Sequence, residues 1–97
     1  TLEQIAEKMC HNPAIVFQVE KRGFVREGYW ADLVLFDLNS VTTVSADNLF
    51  YKCKWSPFEG YTFDSKITHT IVNGQIAYDN GQVNSAVRGQ RILFDRV

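Results

Sequence analysis

Cysteine is scarce in this 97-residue chain, which has only Cys10 and Cys53. Small secreted domains that rely on cross-links carry more, so a disulfide framework is excluded and cytoplasmic residence is the expectation. Nothing in the sequence has the pattern of a signal peptide. Long apolar runs are also missing. The longest, Leu33-Val34-Leu35-Phe36, is far short of the ~20 residues a bilayer-crossing helix needs, and no membrane partner is expected. Charge of one sign is lacking too: ten basic against eleven acidic side chains leave a formal charge of −1. No overall field would gather nucleic acid or an anionic surface. The densest basic stretch, Lys21-Arg22 with Arg26, reads as a solvated turn beside Gly23 rather than the wider basic face of a nucleic-acid reader.

What is present suits one small folded body. Hydrophobic residues make up 45% of the chain and charged residues 22%, the balance of an ordinary globular segment. The sequence opens at Thr1 already in helical register, with Leu2, Ile5, Ala6 and Met9 on one face. That register suggests a chain cut from something longer; a small protein that lost its initiator methionine is the alternative. The first helix is predicted from Leu2 to Cys10, with a break at His11-Asn12, because proline disfavours the helical conformation in the residue before it. Asn12 then serves as a cap, and Pro13 opens a second short helix ending near Gln18.

From Val19 the periodicity changes. Phe24-Val25, between Gly23 and Gly28, gives a two-residue strand signal. Leu33 to Phe36 reads as a strand buried on both faces, since its apolar residues do not alternate. Val41 to Val44 is β-branched and strand-like, and Ser45 caps a short helical turn. Between Leu49 and Phe63 lie Phe50, Tyr51, Trp55, Phe58, Tyr61 and Phe63, read as an irregular, partly buried connection. The strongest local signal runs from Ile67 to Tyr78, where two β-rich arms flank Asn73-Gly74, a dipeptide suited to a type I′ turn. Asn80-Gly81 repeats that chemistry before Gln82-Val83, and the apolar Ile92-Leu93-Phe94 is expected to pack back on the body. The fold class is therefore mainly β, with a helical leader.

Chemistry is hard to find. A metal needs three or four converging ligands, and the strong candidates are Cys10, His11, Cys53 and His69, scattered without a CxxC or HxxxH pair. Cys10 and His11 are adjacent, so on a helix they point about 100° apart. His69 is the one plausible general base, but a histidine among isoleucines is more often packed and hydrogen-bonded than catalytic. Cys53 lies between Lys52 and Lys54, which strand alternation would aim at the opposite face. No GxSxG elbow and no GxGxxG or GxxxxGK[ST] phosphate loop is present.

Several segments carry a resemblance. Asn12-Pro13-Ala14, then Gly23-Phe24-Val25-Arg26-Glu27-Gly28, then Ala31-Asp32-Leu33-Val34-Leu35-Phe36-Asp37 are similar to the tail of the amidohydrolase superfamily. There the chain leaves the last helix of a metal-binding (β/α)₈ barrel and enters a small β-sandwich. Ser56-Pro57-Phe58-Glu59-Gly60, Thr70-Ile71-Val72-Asn73-Gly74-Gln75 and Arg88-Gly89-Gln90-Arg91 resemble the cyclic amidohydrolase branch, dihydroorotase above all, with hydantoinase and allantoinase as near relatives. Two places depart from the pattern: Asp64-Ser65 stands where a glycine is frequent, and Asn73 where arginine is common.

The resemblance implies residues 1–18 as the last helices of the barrel and 19–97 as the C-terminal part of the sandwich. It implies zinc in the parent enzyme, held by an HxH pair, a carboxylated lysine, two further histidines and an aspartate. All of these precede the matched region, so it assigns no catalytic, cofactor-binding or metal residue to this chain. Three functions then compete. The chain is a structural C-terminal segment of a dihydroorotase-like enzyme of pyrimidine biosynthesis, or of a hydantoinase or allantoinase; a free-standing β module binding a partner through Trp55, Phe58 and Tyr61; or a small enzyme using His69. On the first reading its partners are the rest of the parent chain and other copies. The isolated polypeptide is then expected to be dimeric or aggregation-prone, through unpaired strand edges and an apolar helix face.

Overall fold

The helical leader is continuous where a break was expected. In the computed structural model, which describes residues 1–96, α1 (Leu2–Ala6) runs into a π-helical turn over Glu7–His11 and then into α2 (Asn12–Val16). Thr1 caps α1 through its side chain, which accepts from the Gln4 N–H at 3.2 Å, while the Gln4 side chain accepts from the terminal amine at 2.8 Å. Asn12 does not act as a cap. It is itself helical, at φ −61° and ψ −45°, and its N–H reaches back five residues to the Glu7 carbonyl. A proline in an α-helix drives its ring against the carbonyl four residues earlier; the wider π turn ahead of Pro13 gives that ring room. The helix ends at Val16, Gln18 with its φ of 57° turns the chain, and the Val19 N–H closes on the Ala14 carbonyl at 2.9 Å.

Gly23 fixes how the next loop meets this leader. A Cβ added there would lie 2.5 Å from the Ala14 Cβ and 2.8 Å from the Cys10 carbonyl oxygen, and φ is +85°. Cys10 and Ala14 are four residues apart on one helix face, so the glycine backbone lies directly on the helix. The neighbouring Phe24-Val25 forms no strand, since its backbone follows this packing instead of a ladder.

Strands dominate the remainder. β1 (Leu33–Asp37), β4 (Lys66–Val72), β5 (Gln75–Asp79) and β6 (Gln82–Val83) form an antiparallel sheet in the order β1-β4-β5-β6. β2 (Thr42–Thr43) and β3 (Thr62–Phe63) form a separate two-stranded ladder. The β4–β5 turn is the one expected: Asn73 and Gly74 have φ of 50° and 81°, both positive as a type I′ turn requires. Asn80 and Gly81 repeat the pattern at 44° and 96°. Thr68 is an extra residue against β1, because Leu35 pairs with His69 and Phe36 with Ile67. Ser45 precedes a 3₁₀ turn (Ala46–Asn48) and donates its N–H to Asn48 Oδ1 at 2.9 Å. The tail returns as expected, with the Glu20 N–H on the Leu93 carbonyl at 2.9 Å and the Asp95 N–H on the Gln18 carbonyl at 2.8 Å.

The core is where expectation and structure part. Among the described residues only Ala14 and Leu49 are buried apolar side chains. β1 was expected to be covered on both faces, yet Val34, Leu35 and Phe36 are 51%, 47% and 45% exposed, since among the described residues no second layer lies on them. Met9, on the apolar face of the leader, is 74% exposed. The accessible surface is 7933 Å² for 11.1 kDa, where a folded monomer of that mass shows roughly 5,700 Å². The radius of gyration of 15.5 Å likewise exceeds the ~12.5 Å of a compact domain this long. No helix among the described residues is long and apolar enough to cross a membrane.

Gly23→Ala is expected to cost roughly 1–3 kcal/mol, from positive φ and overlap with Ala14 together; a urea midpoint equal to the parent sequence's would refute the close approach. Asp37 titrates below its ordinary 3.8 because the Asn39 N–H and the Ser40 hydroxyl donate to its carboxylate, with Lys66 adding to the effect. A depressed carboxyl stabilises the fold above its unfolded pKa and loses that contribution as pH falls through its folded pKa. Asp37→Asn should therefore flatten the acid limb of stability below about pH 4, as unfolding midpoints measured across that range would show.

Candidate functional site

The residues singled out for chemistry are held apart. Cys10 and Cys53 are exposed, unpaired thiols. The His11 ring projects from the leader and stacks on Phe24, ring centroids 4.2 Å apart and planes within 8°. Arg26 lies over the same Phe24 ring at 4.0 Å, so that His11 and Arg26 pack against one aromatic. The Cys53 thiol points to the Trp55 carbonyl at 3.9 Å, while the Lys54 ammonium turns to the Leu49 carbonyl at 2.7 Å. Among the described residues, no three His, Cys, Asp or Glu side chains gather so as to hold a metal ion.

His69 has the most developed surroundings. Its Nδ1 is 2.9 Å from Thr68 Oγ1, and its Nε2 is 3.1 Å from Asp79 Oδ1, the residue directly opposite on β5. The order hydroxyl, imidazole, carboxylate is that of a hydrolytic triad, and the bulge at Thr68 brings it about. The hydroxyl, however, donates to the Leu35 carbonyl at 3.3 Å, and Asp79 is 56% exposed rather than shielded as a triad carboxylate is. Both ring nitrogens are already engaged. The arrangement is a cross-strand polar pair of the kind that steadies a sheet.

Sequence reasoning missed the cluster around Asp32. Arg22 was read as part of a solvated turn, but its side chain is only 10% exposed and forms an ion pair with Asp32 Oδ2. The other carboxylate oxygen accepts from the Asn73 N–H at 2.9 Å, and the Gly74 N–H donates to the Ala31 carbonyl at 3.0 Å. The Arg22 guanidinium lies 5.4 Å from the Trp30 ring centroid, over its face. Asp32 thereby ties the loop that rests on the helical leader to the tip of the β4–β5 hairpin, 41 residues away in sequence. The acid and base stand ten residues apart in the sequence with nothing local to mark them as partners.

Two depressions lie beside this cluster. One, of about 400 Å³, is walled by Ala14, Gln18, Arg22, Phe24, Arg26, Tyr29 and Asp95 among others. The second, of about 430 Å³, is walled by Glu20, Lys21, Tyr29, Trp30, Arg91 and Leu93 among others. Neither contains a histidine or cysteine, and their charges are of both signs. The aromatic connection forms a surface instead: Tyr61 and Phe63 ring centroids are 4.7 Å apart, with Phe58 6.3 Å and 6.0 Å from them. Trp55 is 65% exposed beside Ser56, which is buried. Leu49 and Ser56 of this stretch are buried as expected, and Phe50 packs edge-on against Tyr78 of β5 with ring centroids 5.9 Å apart, while Trp55, Phe58 and Tyr61 stay 65%, 55% and 56% exposed.

The amidohydrolase family model matches residues 1–77, well over half of the sequence. The chain belongs to the amidohydrolase family. It is 37% identical over 93 residues to the dihydroorotase of Pyrococcus furiosus, a match covering 96% of this chain and 22% of that protein. It is 34% identical over 91 residues to an allantoinase of Desulfitobacterium hafniense, covering 94% of this chain and 20% of that one. In structure it resembles the L-hydantoinase (dihydropyrimidinase) from Arthrobacter aurescens, with a TM-score of 0.76 and 32% identity over 87% of this chain and 19% of that one. This amidohydrolase chain thus spans about a fifth of the length of the relatives it matches. The similarity to dihydroorotase read from its motifs holds across nearly its whole length.

The Asp32 cluster carries a prediction. Removing one partner of a mostly buried ion pair leaves the other uncompensated, so Arg22→Met or Asp32→Leu alone is expected to cost about 3 kcal/mol. The double variant should be less destabilised than either single one, and a double-mutant cycle with no coupling would contradict the pairing. His69→Ala, by contrast, is expected to cost only about 0.2–1 kcal/mol, as for other cross-strand pairs.

Proposed function

We propose that this chain is the C-terminal structural segment of a zinc-dependent cyclic amidohydrolase most like dihydroorotase. The whole enzyme would reversibly open dihydroorotate to carbamoyl aspartate in pyrimidine biosynthesis. On this reading residues 1–18 are the last helices of a (β/α)₈ barrel, and residues 19–97 are the C-terminal part of a β-sandwich completed by strands from elsewhere in the parent. The observation that carries the proposal is the exposed apolar surface: β1, the leader face and the aromatic loop are rich in apolar side chains that the described residues leave about half or more exposed. A segment that spans a fifth of its relatives has the remainder of the protein to cover them. Residence in the cytoplasm belongs to the same proposal, and the two unpaired, exposed cysteines support it.

A metal-activated water is the nucleophile this chemistry calls for, since a bound cation lowers the water's pKa and polarises the amide carbonyl. The residues of this chain do not fit such a site. Cys10, His11, Cys53 and His69 are engaged separately with solvent, Phe24, the Trp55 carbonyl and Asp79, and no step of the reaction is routed through them. The segment's contribution is mechanical: the Gly23 contact and the Asp32 cluster hold the sheet at a set angle to the helices that belong to the barrel.

The free-standing module reading draws on the same exposed rings of Trp55, Phe58 and Tyr61. It differs in predicting a well-behaved monomer by itself. The structural-segment reading expects the isolated polypeptide to be dimeric or to aggregate, and a stable monomer in sedimentation at high concentration would count against it. It further expects no dihydroorotate turnover from the 97-residue polypeptide supplied with zinc, and turnover restored on co-expression with the rest of the parent chain. Stoichiometric zinc uptake with turnover by the isolated polypeptide would overturn the proposal.

A further inference from the structure

We draw no further inference here: the strongest candidate, the exposed aromatic face of the 49–63 loop formed by Phe58, Tyr61 and Phe63 with Trp55 beside it, is an unpartnered apolar surface, and nothing in the structure shows what covers it.

Discussion

Apolar surface left facing water is the constraint from which the rest of this structure takes its meaning. Each square ångström of it forfeits on the order of 25 cal/mol that burial would return, and this chain exposes some 2,200 Å² more than a folded monomer of its mass, taking its 7933 Å² against the size-scaling expectation. The exposed apolar side chains lie both on regular elements and on the connections between them. β1 pairs with β4 along one edge, yet its apolar side chains stand open on both faces. The leader helix likewise turns Leu2, Ile5 and Met9 to solvent. The chain spans about a fifth of the length of its dihydroorotase and allantoinase relatives.

Because the core is so small, polar and steric contacts carry an unusual share of the organisation. Gly23 lets the loop after the helices lie on Cys10 and Ala14 without a side chain between them. A few residues on, Asp32 divides its carboxylate between Arg22 and the Asn73 N–H, joining that loop to the hairpin tip. Glu20 and Gln18 meet the returning tail through backbone bonds to Leu93 and Asp95. These links run in series from helix to loop to sheet, so the relative placement of the leader and the sheet depends on a short list of residues. His69 and Asp79 add to the sheet itself and take no part in that chain of contacts.

The legible parts of the fold were those whose cause is local. A type I′ turn needs two consecutive residues at positive φ, and Asn73-Gly74 meets that need wherever the hairpin sits. Asn80-Gly81 and the Ser45 turn are of the same kind. The order of the motifs around Asp32, Pro57 and Gly74 likewise announced the amidohydrolase family without reference to any contact. The predicted break at Asn12 failed because proline's conflict with the preceding turn has two remedies, ending the helix or widening it, and the structure takes the second. Burial of β1 was misjudged because an apolar run records what a strand prefers around it, and the described residues leave Val34, Leu35 and Phe36 about half exposed. Arg22 was misread because a charged residue in a turn looks the same whether or not a carboxylate ten positions away folds onto it.

By itself, then, the sequence determined the turns, the strand-rich class, the family and the scatter of its potential ligands, since each depends on residues within a few positions or on residue types alone. Only the tertiary structure decided that the leader stays helical through Pro13, that Arg22 is enclosed by Asp32 and Trp30, and that the apolar faces remain open. Those outcomes depend on which distant surfaces meet, and a linear pattern specifies what a face prefers without specifying what arrives to satisfy it.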